Sequence, residues 1–189
     1  MSASENDIRG FEEKQDSSEL IFDGRVLHVY KDGVTLPNGN HSIREYIRHI
    51  GAVCVVPVTD AGEVICVRQF RYPEAEVLLE IPAGKLDSRD EVPAEAARRE
   101  LREETGAVAG KLTCLGKFYS SPAILDECIH MFLAQELVFG DTDPDEDEFL
   151  EPVRIPLDEL VEKIMRGEVP DGKTQAAVMR VAYLLGGKK

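Results

Sequence analysis

The 189-residue chain has no tryptophan, and aromatic residues make up only 6% of it. Any aromatic stacking platform must therefore come from Phe or Tyr, with Phe22 and Tyr46 as candidates. Its four cysteines, Cys54, Cys66, Cys114 and Cys128, form no CxxC pair. Cys54 and Cys66 fall in apolar, strand-like runs and read as buried free thiols, compatible with a reducing, cytoplasmic setting. The four histidines, His28, His41, His49 and His130, have no ligand-like spacing, so no metal is assigned to them. Cations are scarce: 22 Lys and Arg stand against 36 Asp and Glu, a formal net charge of −14. That balance argues against nonspecific binding of nucleic acid or anionic membranes, which require a basic face. No window approaches the ~18 consecutive apolar residues of a membrane span. Residues 1–19 are polar, without the apolar core of a signal peptide, and read as a frayed tail or short helix.

A hydrophobic share of 43% is enough for a real core, and the length suits one domain with a small appendage. Leu20–Leu36 reads as strands with turns at Asp23-Gly24 and Asp32-Gly33, and Pro37-Asn38-Gly39-Asn40 as a hairpin turn. In the strand Ser42–His49, Arg44, Tyr46 and Arg48 share one face. Glu45 shares the other with Ile43 and Ile47 and calls for a partner. Ala52–Thr59 is a central strand, followed by strands at Val64–Phe70 and Val77–Ile81. Leu112–Tyr119 and Ile129–Gln135 read as two more. Residues 141–151 are an acidic loop, and Leu157–Arg166 and Thr174–Leu185 are helices. Strands dominate the first half and helices the end, which makes the class α+β.

The most informative stretch runs from Gly84 to Ala107. Pro93 suits a first helical turn, strong helix formers follow, and Gly106 supplies the stop. At ~100° per residue, Ala94, Ala97 and Leu101 share one side. Glu104 falls inside that apolar sector and Glu100 lies on its edge, while Arg99, Arg102 and Glu103 face solvent. A carboxylate aimed into a buried sector costs several kcal/mol unless a positive group meets it. Glu100 and Glu104 are one turn apart and repel each other, a conflict that a divalent cation would resolve. The plainer alternative is a charged helix laced with Arg–Glu pairs.

From Glu91 onward this stretch resembles the signature of the Nudix hydrolases, Gly-x5-Glu-x7-Arg-Glu-U-x-Glu-Glu-x-Gly-U, with U aliphatic. Glu91, Arg99-Glu100-Leu101, Glu103-Glu104 and Gly106 match without a gap. Gly84 is separated from Glu91 by six residues rather than five, which leaves the role of Glu91 open to Asp90. Ala107 is small for the last aliphatic position. Outside the signature, Arg44-Glu45, His49-x-Gly51-Ala52-Val53, Gln69-Phe70-Arg71, Leu79–Lys85 and Phe118–Pro122 are similar to the ADP-ribose pyrophosphatase branch. That branch's Ser-Pro-Gly reads Ser121-Pro122-Ala123 here.

The resemblance implies an α/β/α sandwich around a mixed sheet. Residues 1–45 would form a tail and a dimer-forming β-subdomain, and 46–189 the Nudix hydrolase domain. It implies Mg2+-dependent hydrolysis of the pyrophosphate of ADP-ribose to AMP and ribose 5-phosphate, with Mn2+ as a substitute metal. Glu100 and Glu104 would hold the metals, with the Ala83 carbonyl and Glu103 completing the set. Arg99 would orient a signature glutamate. Glu127, six residues after Ser121, would be the general base, with Asp126 a weaker alternative. Arg71 would pair with phosphate, and Glu80 would bind the terminal ribose or support the metal site. Arg44 would stack on adenine, and Glu45 would accept from its amino group or from a ribose hydroxyl. The partners implied are a nucleoside diphosphate sugar and a second copy of the chain. Two rivals remain: hydrolysis of GDP-mannose or another nucleoside diphosphate sugar, and an ADP-ribose-binding module without catalysis. The retained glutamates favour an enzyme.

Overall fold

The computed structural model describes residues 10–140 and 149–186. Contacts divide the chain into two units. One is the chain up to His49 with Ser121–Glu127, and the other is Ile50–Ser120 with Cys128–Lys189.

The first unit is an antiparallel three-stranded sheet, ordered β1 (Lys14–Asp23), β2 (His28–Thr35), β3 (His41–Arg48). The stretch Lys14–Glu19, read as tail, is part of β1. Every residue of β1 is exposed, so no hydrophobic alternation marks it as a strand, and its pairing with β2 defines it instead. Residues 1–9 of that tail reading lie outside the described residues. Asp32-Gly33 is not a turn but lies inside β2. Gly33 is opposite Ser17, whose Oγ would sit 2.6 Å from a Cβ there. Asp32 is buried and accepts from Gln15 Nε2 at 2.7 Å and Tyr46 Oη at 3.1 Å. The β2–β3 turn falls at Leu36–Asn40 as expected, with Gly39 in the left-handed region at φ 85°. Glu45 is exposed, as is Ile43, so the burial that demanded a partner does not arise.

The second unit carries a four-stranded sheet, ordered β7 (Ala83–Lys85), β4 (Ala52–Pro57), β9 (Ile129–Phe139), β8 (Ala107–Phe118). β4 pairs with β9 in parallel and with β7 antiparallel, so the sheet is mixed. A second sheet joins β10 (Leu150–Pro156), β5 (Glu63–Arg71) and β6 (Glu76–Glu80), all antiparallel. Among the described residues, three helices complete it: α1 (Pro93–Thr105), α2 (Leu157–Met165) and α3 (Gly172–Leu185). β4 is apolar on both faces because both are covered. Val53 and Val55 join a cluster with Ala97 and Leu101 of α1. Ala52, Cys54 and Val56 join another with Leu160 of α2 and Val178 of α3. These two cores make the expected α/β/α sandwich.

β10 begins where the sequence reads as acidic loop, and residues 141–148 of that loop lie outside the described residues. Among them is Glu148; Glu151 is in β10 and bonds Arg68 Nη1 at 2.6 Å. Cys54 and Cys66 are buried free thiols as expected, and burial pushes both up to about 12. Among the described residues, no helix is long and apolar enough to cross a membrane.

Candidate active site

The site is built on α1 and the backbone beneath it. Helix α1 begins with Pro93 in its first turn and stops at Gly106, whose φ of 69° permits an N–H bond back to Arg102 O. Its buried residues are Ala96, Ala97, Glu100, Leu101 and Glu104. The buried arc is therefore turned toward the glutamates relative to the expected Ala94–Ala97–Leu101 stripe, and Glu104 lies near its middle. Glu100 is 8% exposed and Glu104 4%. Leu101 and Ala97 lock the helix to the β4 core, so the two carboxylates are carried in with the apolar face. Glu100 ends against β7, where Ala83 and Gly84 pair with Cys54 and Val53 of β4. A Cβ on Gly84 would lie 2.1 Å from the Glu100 carboxylate, so any larger residue there would displace it.

Arg99 gathers the surrounding acids. Its Nη1 donates to Glu100 Oε1 at 2.7 Å and to Glu103 Oε2 at 3.2 Å. Its Nη2 donates to the Lys85 carbonyl at 3.2 Å and to Glu91 Oε1 at 3.4 Å. Burial lowers the affinity of Arg99 for its proton, but the Glu100, Asp87 and Glu91 charges outweigh it and the net shift is upward. Glu91 also accepts the Asp87 N–H at 2.6 Å. The extra residue before Glu91 is thus absorbed in the turn, and Glu91 still meets Arg99.

Hard oxygen donors suit a hard divalent cation, and Mg2+ commonly takes one or two carboxylates plus substrate phosphates and waters. Glu100 and Glu104, buried on one face of α1 with Glu100 against the β7 backbone, fit that pattern. No three His, Cys, Asp or Glu side chains form a ready-made metal cluster among the described residues.

Arg71 and Glu80 are joined to each other. Arg71 Nε and Nη2 donate to the two Glu80 oxygens at 2.6 and 2.7 Å, and Glu80 is 2% exposed. Lys173 of α3 also bonds Glu80, and it bonds Asp171 at 3.0 Å. Burial pushes the Glu80 carboxyl up, but Arg71 and Lys173 outweigh it and the net shift is downward. Asp171, Lys173 and Thr174 were not expected here. A signal was available, since Asp171 caps α3 by accepting the Thr174 N–H at 2.9 Å, and Asp before a periodic run marks a helix start.

The other expected residues belong to the first unit. Ser121–Glu127 is held to β3 by Ile47 N–H to Ile124 O at 2.9 Å and Asp126 N–H to Ile47 O at 3.1 Å. The Asp126 carboxylate accepts the His49 N–H at 2.6 Å. Glu127 Oε1 lies 3.7 Å from His49 Nδ1, and its side chain is 18% exposed, so it is not a freely solvated loop glutamate. Arg44 Nε donates to Glu13 at 2.7 Å. Arg44, Glu45, Tyr46, Asp32, Ala123 and Asp126 line a cavity of about 320 Å3.

Comparison with known proteins agrees with this geometry. The NUDIX domain matches residues 48–176, and the nucleoside diphosphate sugar hydrolase N-terminal domain matches residues 13–47. The chain is 45% identical over 173 residues to an ADP-ribose pyrophosphatase of Bacillus subtilis (strain 168), covering 90% of this chain and 93% of that one. It is 42% identical to a methanol dehydrogenase activator of Bacillus methanolicus (89% and 91% covered). It is 36% identical to a GDP-mannose pyrophosphatase of Pectobacterium atrosepticum (85% and 91% covered). The crystal structure of an ADP compounds hydrolase superposes with a TM-score of 0.83 at 27% identity, covering 93% of this chain and 95% of that one. Nudix hydrolases generally use divalent metals, in keeping with the Glu100–Glu104 pair. With its signature helix, mixed-sheet sandwich and N-terminal sheet, the chain belongs to the Nudix family.

Proposed function

We propose that the protein hydrolyses the pyrophosphate of ADP-ribose, releasing AMP and ribose 5-phosphate. The observation that carries this reading is the pair of buried carboxylates one turn apart on α1, Glu100 and Glu104, with Glu100 against the glycine backbone of β7. The similarity to ADP-ribose pyrophosphatase supports the choice of substrate. Glu100 and Glu104 hold Mg2+, with Mn2+ able to replace it, and Glu103 and the Ala83 carbonyl complete the ligand set. When bound, the cation neutralises the pyrophosphate and lowers the energy of charge growing on phosphoryl oxygens.

The chain's own groups do the rest. Glu127 accepts a proton from the attacking water, whose oxygen bonds to phosphorus as the bridging P–O bond breaks. His49 orients Glu127. Arg99 keeps Glu100 and Glu103 in place through its two Nη1 bonds. Arg71, bonded to Glu80 through Nε and Nη2, offers Nη1 to a substrate phosphate, and Glu80 fixes its orientation. Arg44 stacks on adenine, and Glu45 accepts from its amino group or a ribose hydroxyl. Leu20, Ile21, Phe22 and Ile43 are large apolar side chains exposed on the N-terminal sheet. A second copy of the chain covers them in a homodimer, which works in the cytoplasm.

The test is incubation with Mg2+ and, separately, ADP-ribose, GDP-mannose, NADH, diadenosine polyphosphates and nucleoside triphosphates, with products identified by chromatography. Preferential release of AMP from ADP-ribose is the expected result. Preferential cleavage of GDP-mannose keeps the chemistry and overturns the substrate, and similarity to GDP-mannose pyrophosphatase makes it the second reading. Binding of ADP-ribose without turnover of any substrate would identify a binding module.

A further inference from the structure

Between β6 and β7 a two-residue link, Ile81-Pro82, joins Glu80 to Ala83 and Gly84. Pro82 has no N–H, so the link has few groups by which it can be held. Three groups here are engaged. The Glu80 carboxylate is gripped by Arg71 and Lys173. The Ile81 N–H donates to Thr174 Oγ1 at 3.0 Å. The Pro82 carbonyl accepts the Val55 N–H at 2.9 Å. Two of these anchors come from the first turn of α3, 93 residues away in sequence.

The first turn of α3 is itself fixed. Asp171 accepts both the Thr174 N–H at 2.9 Å and a proton of Lys173 Nζ at 3.0 Å. Thr174 is 0% exposed, and Ala177, Val178 and Val181 seat the helix in the core. A surface helix needs no threonine buried at its start, and Lys173 could have reached water. Instead both are turned onto the strand end that leads into the β7 backbone beneath Glu100.

We infer that Lys173 and Thr174 are positioning residues for the metal site: they hold Glu80–Pro82 so that Ala83 and Gly84 meet Glu100 in a metal-competent arrangement. The inference rests on the metal assignment proposed for Glu100 and Glu104. Thr174 sets the height of the link through Ile81, and Lys173 sets its lateral position through Glu80. Groups that orient metal ligands without touching the metal commonly change affinity by about 10–100-fold when removed.

The test is a titration of the full-length protein with Mn2+ alone, in the absence of substrate, followed by loss of the free-ion EPR signal. Thr174→Val keeps the shape but removes the acceptor, and its Kd for Mn2+ should rise about tenfold. Thr174→Ser should restore wild-type affinity. Val178→Ala, on the same buried helix face, should lower Tm without changing the Mn2+ Kd, which separates positioning from general loosening of α3. Glu104→Gln serves as the reference for a lost ligand. Wild-type Mn2+ affinity in Thr174→Val, with affinity lost in Glu104→Gln, overturns the positioning role and leaves the metal site standing. Wild-type affinity in Glu104→Gln overturns the metal assignment and this inference with it. Should Thr174→Val fail to fold, Lys173→Met takes its place under the same criteria.

Discussion

Gly84 and Glu100 are in direct apposition: a Cβ built on Gly84 would lie 2.1 Å from both the carboxyl carbon and Oε1 of Glu100. The glycine that opens the signature is thus a space requirement set by a carboxylate on the helix that closes it. Gly84→Ala must move Glu100 or the β7 backbone. Overpacking of this kind costs about 1–3 kcal/mol of stability. The larger expected effect is on function, with metal-dependent turnover lowered by about 10–100-fold. A urea melt and a metal titration of activity check both, and near-wild-type turnover at low metal would refute the spatial argument.

Glu104 is 4% exposed and one helical turn from Glu100. Glu104→Gln keeps the shape and removes the charge. Turnover should fall by more than about 100-fold, the upper end for residues that only support a ligand. The circular dichroism spectrum and melting profile should stay close to wild type. Retained activity in a folded variant removes Glu104 from the metal site.

Glu127 sits 3.7 Å from His49 with a side chain only 18% exposed. As general base, its replacement by Gln should lower kcat by about 10²–10⁴-fold. The affinities for Mn2+ and for ADP-ribose should be unchanged. A large loss of either affinity instead would make Glu127 a ligand rather than a base.

Glu80 gives a pH dependence with a definite sign. Its carboxyl is held below the ordinary 4.5 by Arg71 and Lys173 despite burial. The unfolded chain therefore binds this proton more readily than the folded one. Stability from the network is fully present above pH 4.5 and is lost as pH falls through the lowered value. Glu80→Gln, which removes the carboxylate partner of Arg71 and leaves Lys173 with Asp171 alone, should destabilise by about 3 kcal/mol at neutral pH. The gap between variant and wild type should close in acid. Urea denaturation at neutral pH and below pH 4.5 measures it, and a gap independent of pH would exclude Glu80 as the titrating group.

The helix Pro93–Thr105, its glycine stop and the conflict of two carboxylates on an apolar face were legible because helical periodicity is local. β4 and β9 were legible as apolar runs. The Lys14–Glu19 part of β1 was not, because none of its residues is buried and its polar sequence carries no alternation. β10 was hidden because its signal merges with the acidic stretch before it. Glu45 shares a strand face with Ile43 and Ile47, which points to burial, whereas the sheet leaves Glu45 and Ile43 exposed. The grip of Lys173 and Thr174 on Glu80 and Ile81 joins residues 93 apart, and no pattern within either segment encodes it.

The sequence by itself determined the family and, through that resemblance, the class of reaction. Residue types and their spacing along one helix set where its carboxylates can face. Tertiary structure decided what holds that chemistry in place. It brought Gly84 beneath Glu100, let the six-residue turn return Glu91 to Arg99, and tied Arg71 to Glu80. These relationships depend on where separate strands and helices end in space. Packing of the two faces of β4 sets those positions, and local periodicity carries no record of them.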